Sequence, residues 1–206
     1  MSDCCDVSSI ERLRERQRST LIAVLVINAV MFVVVVAAAL VADSSALLAD
    51  SLDNFGDAVT YALSLAAVAG SLRAKARVAL FKGVLILAAA LGVLGQVIYR
   101  LWVPSVPVFE LMGLFSLVAL VANATCLALL WRHRDEDINM SSVWECSRND
   151  IAGNVAVFAA AAGVWWFQAG WPDLVVALAL ALLLLRSGSG VIRSARRELA
   201  SAAESG

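Results

Sequence analysis

The chain is a succession of long apolar stretches separated by short polar segments. Six stretches are long enough to cross a hydrocarbon core of about 30 Å, and they lie at 21–41, 45–70, 79–102, 107–131, 143–167 and 172–192. Each predicts a helix, because lipid cannot satisfy the open edge of a sheet. The pattern therefore predicts an all-α fold, a six-helix transmembrane bundle.

One membrane domain accounts for nearly the whole chain. We expect a tail over residues 1–20, a transmembrane domain over 21–192 and a short second tail over 193–206. The first apolar stretch could also be a signal peptide cleaved after Leu40-Val41-Ala42. It is too long for the apolar region of such a peptide, so we expect it to remain as helix 1.

Composition agrees with a membrane protein. Hydrophobic residues make up 61% of the chain and charged residues 16%, unlike an ordinary soluble domain. The formal net charge of −1 gives no sign of a nucleic-acid partner. We therefore expect an integral membrane protein surrounded by lipid.

The basic residues predict the orientation of the bundle. Of the 16 lysines and arginines, most fall in segments on one face, and cytoplasmic loops carry such an excess. Both termini are therefore predicted to be cytoplasmic. The residues concerned are Arg12, Arg14, Arg16 and Arg18 before helix 1, Arg73, Lys75, Arg77 and Lys82 after helix 2, Arg132 and Arg134 after helix 4, and Arg193, Arg196 and Arg197 after helix 6.

Helix 2 carries three carboxylates where apolar residues are expected. Asp50, Asp53 and Asp57 are spaced so that all three lie within roughly 60° on one helix face. A charged side chain at the centre of a membrane helix costs about 2.5–3.5 kcal/mol on insertion scales. This face is therefore predicted to point into the bundle and to have a function.

Helix 5 carries a matching polar stripe of Cys146, Asp150 and Asn154, each one turn from the next. Counting about 1.5 Å per residue from opposite faces of the membrane puts this stripe level with Asp53 and Asp57. Three carboxylates and one sulfur can supply the four tetrahedral ligands that zinc prefers. Ser142 begins a Ser-x-x-Glu capping box, which predicts a helix start one turn before Cys146.

Other polar residues have simpler interpretations. Carboxylates near predicted helix starts complement the helix dipole, and a histidine in a polar loop is read as solvated. A cysteine and an asparagine on helix 4 could reach the site but have no spacing argument, and a cysteine pair in a tail could capture a thiophilic ion. The carboxylates near predicted helix starts are Asp43, Glu110 and Asp173, and the loop histidine is His133. Glu145 and Arg148 are read as a structural pair. The helix 4 residues are Cys126 and Asn123, and the tail pair is Cys4 with Cys5.

The segments SSALLADSLDNFGD, CSRNDIAGN and WPD together resemble the cation diffusion facilitator family of six-helix metal/proton antiporters. In that family an Asp or His with an Asp four residues later, on helix 2 and again on helix 5, forms the transport site. The resemblance implies Asp53, Asp57, Cys146 and Asp150 as metal ligands. Cys146 departs from the usual His or Asp, and the family's cytoplasmic C-terminal domain is expected to be absent.

The resemblance and the donor set imply a secondary transporter rather than an enzyme, with no catalytic residue. We expect proton-coupled efflux of zinc or cadmium from the cytoplasm by alternating access, with the metal as substrate and not as cofactor. Asp50 and Asn154 would relay protons or support the ligands. We also expect a bacterial inner-membrane location and a possible homodimer. The alternatives are ferrous iron as substrate, a passive channel, or a membrane-embedded metal-dependent enzyme.

Overall fold

The computed structural model describes residues 7–66, 72–131 and 138–204. The described residues form six helices and no strand, which confirms the predicted all-α transmembrane bundle. The helices are α1 (Val7–Ala42), α2 (Ser45–Ala66), α3 (Leu72–Trp102), α4 (Phe109–Trp131), α5 (Ile138–Phe167) and α6 (Trp171–Glu204).

Several helices extend beyond the apolar stretches that predicted them. The α1 helix begins at Val7 and α6 continues to Glu204, because the Arg and Glu residues of both extensions favour a helix. The α5 helix begins at Ile138, so the predicted capping box at Ser142 is wrong. Cys146 is consequently about two turns from the helix start, too far for the helix dipole to act strongly on it.

The α2 helix lies at the centre of the bundle. It contacts each of the other five helices, which follow one another around it in the order α1, α4, α5, α6 and α3. Within the part of the chain that the structure describes, α1 and α3 do not touch. The surrounding helices therefore shield most of α2 from lipid.

Five helices contain a span long and apolar enough to cross a membrane, and α2 is not one of them. The prediction had counted it among six apolar stretches. Every 18-residue stretch of α2 contains all three aspartates, which lowers its hydropathy. Its 22 residues still give a length of about 33 Å at 1.5 Å per residue. Its central position explains how a helix with three carboxylates fits inside this bundle.

The start of α2 is fixed by a side chain from α6. Asp173 is buried and accepts hydrogen bonds from the Ser44 hydroxyl at 2.6 Å, from the Ser45 N–H at 2.8 Å and from the Ala46 N–H at 3.0 Å. The Ser44 hydroxyl accepts in turn from the Leu47 N–H at 3.1 Å. Ser44 therefore caps α2, and Asp173 complements the dipole of α2 as well as the start of its own helix.

The turn between α1 and α2 is also tied to α3. Asp43 has a φ of 55°, and the Ser44 N–H reaches back to the Ala39 carbonyl at 3.0 Å, an arrangement that commonly ends a helix. The Asp43 carboxylate forms an ion pair with Arg100 at the end of α3. The first three helices and α6 are therefore joined at the end of the bundle predicted to face outward.

The α3 and α6 helices approach each other closely through glycines. A Cβ on Gly83 would lie 2.7 Å from Ile192 Cγ1 and 3.2 Å from the Gly188 carbonyl oxygen. A Cβ on Gly188 would lie 3.2 Å from Ile86 Cγ2 and 3.3 Å from the Gly83 carbonyl oxygen. Small residues at such crossings allow membrane helices to pack backbone against backbone. The α3 and α6 helices therefore form a closely packed pair beside α2.

Candidate metal site

The aspartate face of α2 points into the protein. Asp50 and Asp57 are 4% and 7% exposed, and Asp53 is half-buried. The prediction that this face avoids lipid is therefore confirmed. Asp50 and Asp53 also lie within electrostatic range of each other, so this face brings two carboxyl groups close together.

One contact fixes how α2 and α5 lie against each other. The Asp50 Oδ1 atom is 3.8 Å from the position that a Cβ would take on Gly153, so these two residues are opposite one another. The helices run in opposite directions and rise equally per residue. Moving three residues along each from this contact sets Asp53 level with Asp150. The predicted alignment of the two stripes agrees with this register.

A further turn along both helices brings Asp57 level with position 146 of α5. The helix passes continuously through this position, but the Cys146 side chain lies outside what the structure describes. Asp150 is 9% exposed. The predicted ligands on α2 and α5 thus occupy one layer of the bundle as far as the described residues reach.

Tyr61 completes this layer and was not singled out from the sequence. It is fully buried, and its hydroxyl donates to Asp57 Oδ2 at 2.8 Å. The same side chain lies within electrostatic range of Asp150 and Cys126. Its spacing of four residues from Asp57, which places both on one helix face, was the signal available in the sequence.

The other side of the layer is formed by α1 and α4. The fully buried Cys126 accepts a hydrogen bond from Asn28 Nδ2 at 3.7 Å and lies within electrostatic range of Asp57. Asn28 also donates to the Val24 carbonyl at 2.9 Å. Cys126 had no spacing argument in its favour, because its position beside Asp57 depends on how α4 packs. It belongs to a stripe of buried α4 residues: Met112, Ser116, Ala119, Asn123, Cys126 and Leu130.

Two buried side-chain oxygens at the aspartate face have no hydrogen-bond partner among the described residues. Asn154 is completely buried, and its Nδ2 donates to the Asp150 carbonyl at 2.8 Å. Its Oδ1 and Asp50 Oδ2 have no hydrogen-bond partner among the described residues. Buried polar atoms are rarely left unsatisfied, and such oxygens suit a cation, a proton or a water molecule.

The described residues do not contain a preformed cluster of three or more His, Cys, Asp or Glu side chains that could hold a metal. The site that the aspartates and Cys146 would form therefore remains a prediction. It requires the Cys146 sulfur, or a closer approach of α2 and α5. The interpretations of Cys4, Cys5 and His133, and those of the Glu145 and Arg148 side chains, also lie outside the described residues.

The family model of the cation efflux transmembrane domain matches residues 21–200, most of the 206-residue chain. Curated proteins gave no match. Proteins of this family are transporters rather than enzymes, and metal ions are their substrates rather than cofactors. The chain belongs to the cation efflux, or cation diffusion facilitator, family and is an integral membrane transporter of divalent metal cations.

Proposed function

We propose that the protein exports zinc or cadmium from the cytoplasm in exchange for protons. The ion binds Asp53 and Asp57 of α2 with Cys146 and Asp150 of α5. The observation that carries the proposal is the facing of buried aspartates on α2 and α5, with Asp57 and Asp150 both within range of the Tyr61 side chain. Carboxylates kept in a membrane interior are typical of ion and proton pathways.

The donor set favours zinc and cadmium over harder or strictly soft ions. Carboxylates suit Cu(I) poorly, and a thiolate added to carboxylates suits zinc and the softer cadmium. Ferrous iron is the next substrate on the same chemistry. Four anionic ligands around one dication would leave a negative site, so one of the ligands stays protonated while the metal is bound.

Proton coupling follows from competition for the same atoms. Metal binding requires deprotonated ligands and therefore releases protons, and protons that return from outside displace the metal. Asp50 Oδ2 and Asn154 Oδ1 have no hydrogen-bond partner among the described residues. They lie on the predicted outer side of the ligands, where they can pass protons or water. Alternating access then exposes the layer first to the cytoplasm and afterwards to the outside.

The direction of transport depends on orientation. Cytoplasmic termini in a bacterial inner membrane make the cytoplasm the side from which metal is taken, and the excess of basic residues on that face supports this orientation. We propose in addition that the protein can act as a homodimer through its membrane portion.

Metal uptake into proteoliposomes tests the proposal. We expect an imposed pH gradient to drive zinc and cadmium uptake, with counterflow of protons reported by an internal pH dye. Flux that ignores the pH gradient would indicate a passive channel, and an absence of flux would contradict transport altogether. Ferrous iron transported in preference to both ions would correct the substrate.

A further inference from the structure

The polar contact between α1 and α4 lies beside the proposed ligands but belongs to neither of their helices. Cys126 and Asn28 are 0% and 1% exposed, so neither side chain meets lipid or water. Their contact at 3.7 Å joins helices that are far apart in sequence. Interhelical hydrogen bonds often serve only to hold membrane helices together, and a role in binding needs further support.

The Asn28 amide supplies that support. Its Nδ2 is used twice, by Cys126 and by the Val24 carbonyl, whereas its buried Oδ1 has no hydrogen-bond partner within the described part of the chain. Oδ1 and Nδ2 belong to one amide group, so the group that contacts the sulfur also carries the unpartnered oxygen, and a rotation of the amide would turn that oxygen toward Sγ. A buried carbonyl oxygen without a partner is a place for a donor or a cation.

The carboxylate of Asp57 provides the negative charge that a cation site needs. Cys126 lies within electrostatic range of Asp57 and of Tyr61, and Tyr61 is hydrogen-bonded to Asp57 and packs in the same cluster as Cys126. A sulfur, an amide oxygen and a carboxylate from α4, α1 and α2 thus lie in one region of the bundle. This mixture suits a borderline or soft divalent ion and suits magnesium or calcium poorly.

We propose that Cys126, Asn28 and Asp57 form a second binding position for a thiophilic divalent cation, next to the α2 and α5 ligands and sharing Asp57 with them. When the ion binds, it replaces the proton of the Cys126 thiol, and that proton is released to water. The inference rests on the proposed transport function. It gives α1 and α4 a part in selecting cadmium or zinc, although neither helix carries the α2 and α5 motifs.

The direct test uses a variant in which Cys126 is the only remaining cysteine. The full-length protein carrying Cys4→Ser, Cys5→Ser and Cys146→Ser is titrated with cadmium chloride alone, and the ultraviolet cadmium–thiolate absorption is followed. We expect a saturable band that disappears when Cys126→Ser is added. Serine keeps a hydrogen-bond acceptor for Asn28, so a purely structural role would survive this change while a sulfur ligand would not.

Two further variants in the same background test the partners. Asn28→Ala and Asp57→Asn should each weaken cadmium binding about tenfold or more, as loss of groups at a metal site commonly does. Ser116→Ala is the control, because Ser116 is equally buried on the same face of α4 and its hydroxyl donates to the Gly113 carbonyl of its own helix. The control should leave the band unchanged, and a loss as large as that in Asn28→Ala would overturn the proposal.

The outcomes separate this proposal from the transport function. A folded Cys126-only protein without a cadmium–thiolate band refutes the second position, whatever the transport assays show. If that protein does not fold, Cys126→Ser is made in the otherwise unchanged chain, where cadmium affinity should fall about tenfold and zinc affinity less. An equal effect on both ions, or none, again refutes it. Normal transport by Asp53→Asn and Asp150→Asn would instead refute the proposed transport site.

Discussion

At the level of single residues, the Tyr61 hydroxyl orients the Asp57 carboxylate. Their hydrogen bond of 2.8 Å holds the carboxylate in one orientation inside the bundle, where the surrounding low dielectric strengthens polar contacts. The three aspartates could be predicted from the sequence because their spacing defines one helix face. Asn28, Cys126 and their contact could not, because that contact depends on how α1 packs against α4.

Removing the Tyr61 hydroxyl should weaken metal binding without unfolding the protein. In Tyr61→Phe the Asp57 carboxylate loses the group that orients it, and changes of this kind typically reduce metal affinity by about 10–100-fold. Calorimetric titration with zinc measures the effect. Tyr99→Phe is the matched control, since Tyr99 is 54% exposed on α3. Equal affinities in the two variants would show that Tyr61 has no part in orienting Asp57.

At the level of the helices, apolar length predicted the number of elements well and their ends less well. The true ends depend on polar residues beyond the membrane, as the start of α5 at Ile138 shows. The α2 helix illustrates a second limit. Its central position comes from contacts with five neighbours, whereas its own sequence shows only that one face must be protected from lipid.

The close crossing of α3 and α6 predicts that valine lowers the stability of the protein at Gly188 but not at Gly190. In Gly188→Val the new side chain meets Ile86 and the backbone of α3, and such overpacking costs about 1–3 kcal/mol. Gly190→Val is the control, because a Cβ at Gly190 has nothing within 4 Å. Thermal unfolding in detergent, followed by circular dichroism, should show a lower midpoint for Gly188→Val only. Equal midpoints would mean that the helices separate at little cost.

At the scale of the whole molecule, an even number of membrane-crossing helices would bring the start of α1 and the end of α6 to the same side of the membrane. The basic residues predict that this side is the cytoplasm. The bundle surrounds its charged helix with apolar neighbours and joins α1, α2, α3 and α6 at the opposite end through Asp173 and the pair of Asp43 with Arg100.

Labelling in intact cells checks the orientation. In a chain without its native cysteines, Val106→Cys, exposed in the segment between α3 and α4, should react with a membrane-impermeant maleimide added outside. Arg134→Cys, in the segment between α4 and α5, should react only after the membrane is permeabilised. The opposite pattern would reverse both the topology and the proposed direction of transport.

The central claim is that a divalent ion binds the facing aspartates of α2 and α5, and isothermal titration of the purified protein with zinc and cadmium tests it most directly. We predict that Asp57→Asn and Asp150→Asn lose binding at the α2 and α5 site, while Glu110→Gln, which changes an exposed carboxylate on α4, keeps it. Circular dichroism of each variant verifies that the helices are intact. Affinity for both ions equal to that of the unchanged protein in Asp57→Asn and Asp150→Asn would contradict the account.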